Sequence, residues 1–485
     1  MTIDQLSSLI IERFGFEPTD DQRGAIATFG RFLACKDDMP VMLMRGSAGT
    51  GKTSLVAAMV NTLKALGQRV VLMAPTGRAA KVLDDHCNTD TPKLPTSTIH
   101  RKIYRQKSLG GVFSLNNNLH KDTLFVVDEA SMISTFSMTE SPFGSGNLLD
   151  DLIKYVYSGQ NCRMMLLGDT AQLPPIGEDE APALMSGVLY GYGLTVFECD
   201  LSEVLRQGKT SGILWNANAI RQLITHNDAT QLPKIRFNGF ADIKAMPGNE
   251  LIESLANSYA RFGIDDTIVV TRSNNRATIY NNGIRNTVLD REEDISSGDQ
   301  LMVVKNHYEV LPRMTEGADG TAQGAEELFI ANGDRCTVIR VRHHRELYGF
   351  HFVDALLRFP DMDDLEIETI LLTDTLQTSA PALTAEQSEQ LLRAIEEDYM
   401  DIPTKAERMK AIHENRYFNA LQVKFAYAVT CHKAQGGQWS HVYVDQGYMT
   451  DEMLTPDYIH WLYTAFTRAT DTLYLVNWPK EQILE

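Results

Sequence analysis

The run Gly46-Ser47-Ala48-Gly49-Thr50-Gly51-Lys52-Thr53 carries the residue types that can hold a polyphosphate. It fits the pattern Gly-x-x-x-x-Gly-Lys-Thr and follows the apolar run Val41-Met42-Leu43-Met44-Arg45. Glycines let a backbone curl so that successive N–H groups point at phosphate oxygens. A helix starting directly after them adds its positive dipole end. Lys52 can bring a mobile positive charge to the β- and γ-phosphates, and Thr53 a hydroxyl to Mg²⁺. The spacing of Leu55, Val56, Met59, Val60 and Leu63 predicts the helix behind the loop.

Two further strand-to-loop sites have chemistry to match. Phe125-Val126-Val127-Asp128-Glu129-Ala130-Ser131 is an apolar run ending in paired carboxylates. Beside a phosphate loop, Asp128 can hold Mg²⁺ through water and Glu129 can polarise a water for attack on the γ-phosphate. Met165-Leu166-Leu167-Gly168-Asp169-Thr170-Ala171-Gln172 is the third such site. From there Gln172 could sense the γ-phosphate from the sheet edge.

These sites need a parallel sheet under them. Residues from about 22 to 200 alternate strand and helix signals, with strands expected at 41–45, 69–74, 123–127, 163–167 and 195–199. A second alternating region follows, with a strand at 267–271 and a helix over 276–288. It resumes far downstream, where strands at 441–445 and 473–477 flank a helix over 456–468 opened by Thr455-Pro456. Between them, from about 296 to 420, turn signals separate short β-rich runs, which predicts a small β barrel inserted into the second domain. Thr384-Ala385-Glu386-Gln387 is a capping box opening a helix through Leu391, Leu392 and Ile395, and a second helix is expected over 405–417.

The chain has 485 residues, enough for about two to four domains. It is 43% apolar and 22% charged, in the range of soluble globular proteins. No apolar run approaches a membrane span, and the N-terminal segment lacks a signal-peptide core, so a cytoplasmic protein is expected. The cysteines (Cys35, Cys87, Cys162, Cys199, Cys336 and Cys431) form no C-x-x-C pair, which fits reduced thiols better than zinc or disulfides. The net charge of −18 argues against a protein wrapped in nucleic acid but is compatible with a basic groove on an acidic body.

Taken together, the motifs resemble those of superfamily 1 helicases, and more closely the group B branch of RecD-like and Dda-like 5′→3′ DNA helicases. Asp128-Glu129-Ala130-Ser131 and Gly168-Asp169-Thr170-Ala171-Gln172-Leu173-Pro174-Pro175 lie downstream of the phosphate loop as in that family. Thr19-Asp20-Asp21-Gln22 is similar to the adenine-reading Q motif. Ala74-Pro75-Thr76-Gly77-Arg78-Ala79-Ala80 resembles motif Ia, and Ser97-Thr98-Ile99-His100 motif Ib. Leu201-Ser202-Glu203-Val204-Leu205-Arg206-Gln207 resembles motif IV. Motif V is matched by the stretch from Phe425 through Thr430, His432 and Gly436, and motif VI by Leu462-Tyr463-Thr464-Ala465-Phe466-Thr467-Arg468-Ala469. The match runs from residue 19 to about 477.

The resemblance implies an α/β fold of two RecA-like lobes with parallel sheets and an inserted small SH3-like barrel with a helical extension. Lobe one would comprise 1–97 and 122–200, a pin region 98–121, lobe two 201–295 and 421–485, and the insert 296–420. ATP and Mg²⁺ would sit between the lobes. Lobe one would bring Lys52, Thr53, Asp128, Glu129 and Gln172, and lobe two Arg206 and Arg468. Gln22, the loop from Gly46 to Thr53 and Gly436 would contact the nucleotide, and Gln438 stands where many superfamily 1 helicases have a ribose-binding Glu. Thr76, Thr98, His100, Thr430 and His432 would line single-stranded DNA. Gly110-Gly111 suggests a hairpin in the interval where relatives carry a strand-separating pin. Phe113 beside it is either a wedge that stacks on the last base pair or a hydrophobic anchor for the loop. The expected partners are single-stranded and forked DNA, with replication or repair proteins, and no membrane. The expected activity is ATP-driven 5′→3′ unwinding in replication, recombination or repair. The alternatives are an RNA helicase or remodeller on the same motor, and a RecD-type subunit of a repair complex.

Overall fold

The computed structural model describes residues 2–89, 91–106, 113–136, 143–203, 210–226, 232–312 and 325–484. They fall into two compact units. Among the described residues, the first takes in those up to Leu251 together with those from Ala434 onward, and the second those of Ile252–Lys433.

The first unit is built on a six-stranded sheet. Its order is Thr96–Thr98, Arg69–Ala74, Thr123–Val127, Arg163–Gly168, Pro40–Gly46, Thr195–Leu201. Every neighbouring pair is parallel. The Pro40–Gly46 strand is buried along almost its whole length, as a central parallel strand covered on both faces must be. One face is packed by the helices Ile3–Phe14, Asp20–Ala34, Lys52–Ala65 and Gly77–Cys87, through residues such as Ile10, Phe29, Val56 and Leu83. All five strands expected between 22 and 200 form. The short Thr96–Thr98 strand joins them at the edge. Crossovers between parallel strands leave the connecting loops at the carboxyl ends of the strands, where ligands of open α/β sheets bind. The phosphate loop, Asp128 and Asp169 all lie at such ends.

The same unit holds the parallel strands Ile243–Met246, Ala469–Val476 and Trp439–Asp445. Thr455 caps the helix Pro456–Phe466, accepting from the Tyr458 N–H at 3.2 Å. That helix packs along Gly212–Thr225 and is buried on nearly all sides.

In the second unit, Thr267–Thr271 pairs in parallel with Ala428–Thr430. The helix expected over 276–288 is Asn274–Gly283, continued as a π-helical turn, Ile284–Val288. The inserted barrel is closed and has five strands: Gln300–Val303, Arg335–Leu347, Phe350–Phe359, Leu365–Leu372 and Leu421–Phe425. Closure leaves no open edge to pair with another chain. Its last strand lies just past residue 420, so the barrel's first and last strands are neighbours, with Leu301 opposite Phe425. The helices Ala385–Glu397 and Lys405–Glu414 lay Leu391, Ile395 and Ile412 against Phe350, Phe352, Ile370 and Leu372 on the barrel. Below the barrel, the fully buried Asp299 accepts from Arg285, Arg291, Tyr427 and the Ser296 N–H, so its charge is paired and hydrogen-bonded.

Candidate functional site

The phosphate loop owes its curl to glycines. Gly49 and Gly51 have φ of +79° and +73°, in the left-handed region that glycine enters without strain. The loop is braced from inside. Thr50 Oγ1 donates to the Ser47 carbonyl at 2.9 Å, and Gln22 Nε2 donates to the Thr50 carbonyl at 2.9 Å. Gly51 is the N-cap of Lys52–Ala65 and brings no side-chain acceptor, so the first-turn N–H groups face the loop's concavity rather than a capping oxygen. Lys52 Nζ rests on the Gly46 carbonyl at 3.4 Å.

A cleft of about 400 Å³ opens over this loop. Lys52, Thr53, Asp128, Glu129, Gln172 and Arg468 line it together. Asp128 Oδ1 accepts from the Glu129 N–H at 2.8 Å, and Glu129 itself stands at φ +51°, in the left-handed region. Burial raises the Glu129 pKa. Arg468 opposes that shift most strongly and Lys52 also lowers the value, while Asp128 and Asp169 push it further up. With the Gln172 amide turned so that both ends are satisfied, its NH₂ donates to Glu129 Oε2 and its oxygen accepts from Arg468 Nη2, each at 3.3 Å. Gln172 therefore links the two charges.

Arg468 is 3% exposed. Nε donates to the Thr464 carbonyl at 3.0 Å, Nη1 to the Gly437 carbonyl at 3.1 Å and Nη2 to Thr467 Oγ1 at 3.1 Å. A guanidinium held this way is fixed in direction before any phosphate meets it.

Several neighbours of the cleft were not singled out from the sequence. Tyr463 donates to Asp169 Oδ2 at 2.5 Å and accepts from the Ala48 N–H at 3.2 Å. Thr464 Oγ1 accepts from the Leu173 N–H at 2.8 Å, and Gln435 Nε2 donates to the Leu173 carbonyl at 2.7 Å. All lie inside motifs already recognised. Nothing in residue type or spacing says that their polar atoms meet the loop 169–173.

Other expected site residues take different places. Gln22 does not line the cleft. It is 1% exposed, its Oε1 accepts from the Thr19 N–H in a capping box, and its amide nitrogen is spent on Thr50. Gly436 also lies off the cleft, packed against the next helix, where an added Cβ would come 2.8 Å from Ala79 Cβ and 3.0 Å from Thr76 Oγ1. Gln438, two residues on, does line the cleft. Arg206 lies outside the described residues.

Thr76 and Thr98 are N-caps, accepting from the Ala79 and Arg101 N–H groups. His100 is half-buried, edge-on to Phe143 at 5.1 Å, and burial pushes its pKa down to about 4, so the ring is neutral at physiological pH. Thr430 ends a strand and His432 is exposed on the short helix Cys431–Ala434, both in the other unit. The hairpin strands expected around the pin are present, with Tyr104–Gln106 antiparallel to Phe113–Leu115. The Gly110-Gly111 turn lies outside the described residues. Phe113 is 4% exposed and stacks on Phe143 at 4.9 Å. A ring packed in this way is placed as an anchor for the loop would be.

Known families place this arrangement. A family described as an AAA domain matches residues 19–240. A second, described as a UvrD-like helicase C-terminal domain, matches residues 425–476. The two matches fall in order on either side of the barrel and together contain every described wall of the cleft. By its motifs and these two matches the chain is similar to the superfamily 1 group B helicases. Within that group it is similar to the ATP-dependent RecD2 DNA helicase of Deinococcus radiodurans, 31% identical over 138 residues, which is 28% of this chain and 16% of that protein. An uncharacterized protein of Acanthamoeba polyphaga mimivirus is 22% identical over 495 residues, 89% of this chain and 94% of its own length. Among solved structures, a Pif1 helicase from Bacteroides in complex with ADP-AlF3 and ssDNA aligns over 97% of this chain and 95% of its own, with 13% identity and a TM-score of 0.46. Among the described residues, no helix is long and apolar enough to cross a membrane.

Proposed function

We propose that this chain is an ATP-driven cytoplasmic motor that moves 5′→3′ along single-stranded DNA and unwinds forked DNA in replication, recombination or repair. The observation that carries the reading is the meeting of Lys52, Glu129, Gln172 and Arg468 in one cleft over a phosphate loop. Lys52 neutralises charge on the phosphates, Glu129 takes up the proton of the attacking water, and Arg468 stabilises charge that builds in the transition state. Gln172 touches both Glu129 and Arg468 and so can pass the state of the γ-phosphate between them. Arg206 is the second arginine of this set.

Mg²⁺ fits the donor set present, because the Thr53 hydroxyl and Asp128 carboxylate face the same cleft. This ion needs only one or two protein oxygens beside phosphates and water. When bound, it would screen the phosphate charge.

For DNA, Thr76 and Thr98 each use an oxygen lone pair as a cap and keep an O–H proton to donate to a phosphate. His100 grips as a neutral ring, and Thr430 and His432 serve the same strand. The division into lobes at 1–97 with 122–200 and 201–295 with 421–485, a pin region at 98–121 and an insert at 296–420 belongs to this proposal.

Unwinding of forked substrates with either a 5′ or a 3′ tail tests it, together with ATPase stimulation by single-stranded DNA and RNA. Unwinding of the 5′-tailed fork only, with stimulation by DNA, is expected. A 3′ preference overturns the polarity, and stronger stimulation by RNA overturns the substrate.

A further inference from the structure

One phenolic oxygen joins three parts of the cleft. Tyr463 is 1% exposed, and its hydroxyl uses both of its capacities, donating to Asp169 Oδ2 at 2.5 Å and accepting from the Ala48 N–H at 3.2 Å. Ala48 belongs to the loop whose amides cradle phosphates. Asp169 opens the loop that carries Gln172, and its other oxygen accepts from the Ala171 N–H at 3.0 Å. Tyr463 sits on Pro456–Phe466, and Arg468 follows two residues after that helix ends. The same helix presses on the 169–173 loop a second time, through Thr464. A buried hydrogen-bonded network of this kind permits one arrangement, because any shift leaves a buried polar group unpaired.

We propose that Tyr463 is a positioning residue for ATP hydrolysis, setting the distance between the phosphate loop and Arg468 by holding Ala48 and Asp169 on one oxygen. It rests on the reading of the cleft as an ATPase site. It touches no reacting atom. Its effect passes through Arg468 and Gln172, whose placement must hold to a fraction of an ångström. Burial and the neighbouring Asp169 carboxylate keep the phenol protonated, so it remains a donor across the working pH range.

The test is Tyr463→Phe in the full chain, which keeps the ring and removes only the oxygen. DNA-stimulated kcat should fall at least ~10-fold, while the KM for ATP changes less than ~3-fold. A double-mutant cycle with Arg468→Ala supplies the readout that mere damage to the fold would not move. In the Tyr463→Phe background, Arg468→Ala should cost much less than it does alone, because the guanidinium is already misplaced. Full additivity, or a wild-type kcat in Tyr463→Phe, overturns the proposal. Should Tyr463→Phe melt early, Asp169→Asn in the same cycle asks the same question, and additivity there also overturns it. Lys52→Ala, run alongside, separates this claim from the one beneath it. If Lys52→Ala still hydrolyses ATP, the ATPase reading has failed; if it is dead while Tyr463→Phe is normal, only the role of Tyr463 has.

Discussion

Glu129 shows how the charges of the cleft are balanced. Burial raises its pKa, and the largest opposing influence is Arg468. A general base works only as the carboxylate, so kcat should rise with pH through an apparent pKa above the ordinary glutamate range. Arg468→Ala removes the charge that holds the value down, and the acid limb of the kcat profile should move to higher pH. A limb unmoved by Arg468→Ala would separate the two residues electrostatically. Glu129→Gln should bind ATP and turn over at least ~100-fold more slowly. Much of this was legible in the sequence, because a Gly-rich loop, an Asp-Glu pair at a strand end and a Gln after Gly-Asp are spaced by the chemistry itself. Tyr463 was not. Its type and position suit a buried helix face, and only the fold turns its hydroxyl toward Ala48.

Local signals served well wherever one element decided them. Thr384 does form a capping box with Gln387, and Thr455 does cap Pro456–Phe466. The same signature is present at Thr19-Asp20-Asp21-Gln22. Its spacing serves an adenine reader and a helix cap alike, and the side chain is used as the cap. The Phe113 strand tells a similar story. An aromatic beside a Gly-Gly turn can point to solvent or to a neighbour, and the neighbour, Phe143, lies thirty residues away in sequence. Anchor and wedge now separate by volume. Phe113→Leu keeps most of the buried bulk and should retain duplex unwinding, whereas a stacking wedge would lose it. Phe113→Ala opens a cavity and should cost about 3–5 kcal/mol at the hairpin, seen as a lower melting temperature with unwinding lost alongside.

At the scale of the whole chain, alternation of strands and helices was enough to reveal the parallel sheet and the barrel between distant segments. It could not reveal that the described residues from Ala434 onward pack in one unit with the phosphate loop, because periodicity marks a buried face without naming its partner. The barrel's ends meet, with the Ala426 N–H donating to the Gln300 carbonyl at 2.9 Å. Replacing 301–425 with a short Gly-Ser link should therefore leave the remainder able to fold. Every residue proposed for hydrolysis lies outside the excised part, so basal ATP hydrolysis should survive at a rate within ~10-fold of the full chain. An insoluble product would show that the barrel is part of the fold of its unit rather than an addition to it.

The buried amide of Gln22 bears on which nucleoside triphosphates the motor accepts. Its nitrogen is committed to the Thr50 carbonyl and its oxygen to the Thr19 N–H. A side chain occupied in this way stiffens the loop that all triphosphates share, with one donor and one acceptor already committed away from a purine edge. Gln22→Ala should weaken ATP, GTP and CTP alike, by about 3–10-fold, the scale of one buried hydrogen bond. Competition among the three for a fluorescent nucleotide would measure it. A loss confined to ATP would return Gln22 to the base. An even loss would mean that this fuel inlet is tuned by the stiffness of its phosphate cradle, and that any preference for adenine is set somewhere else.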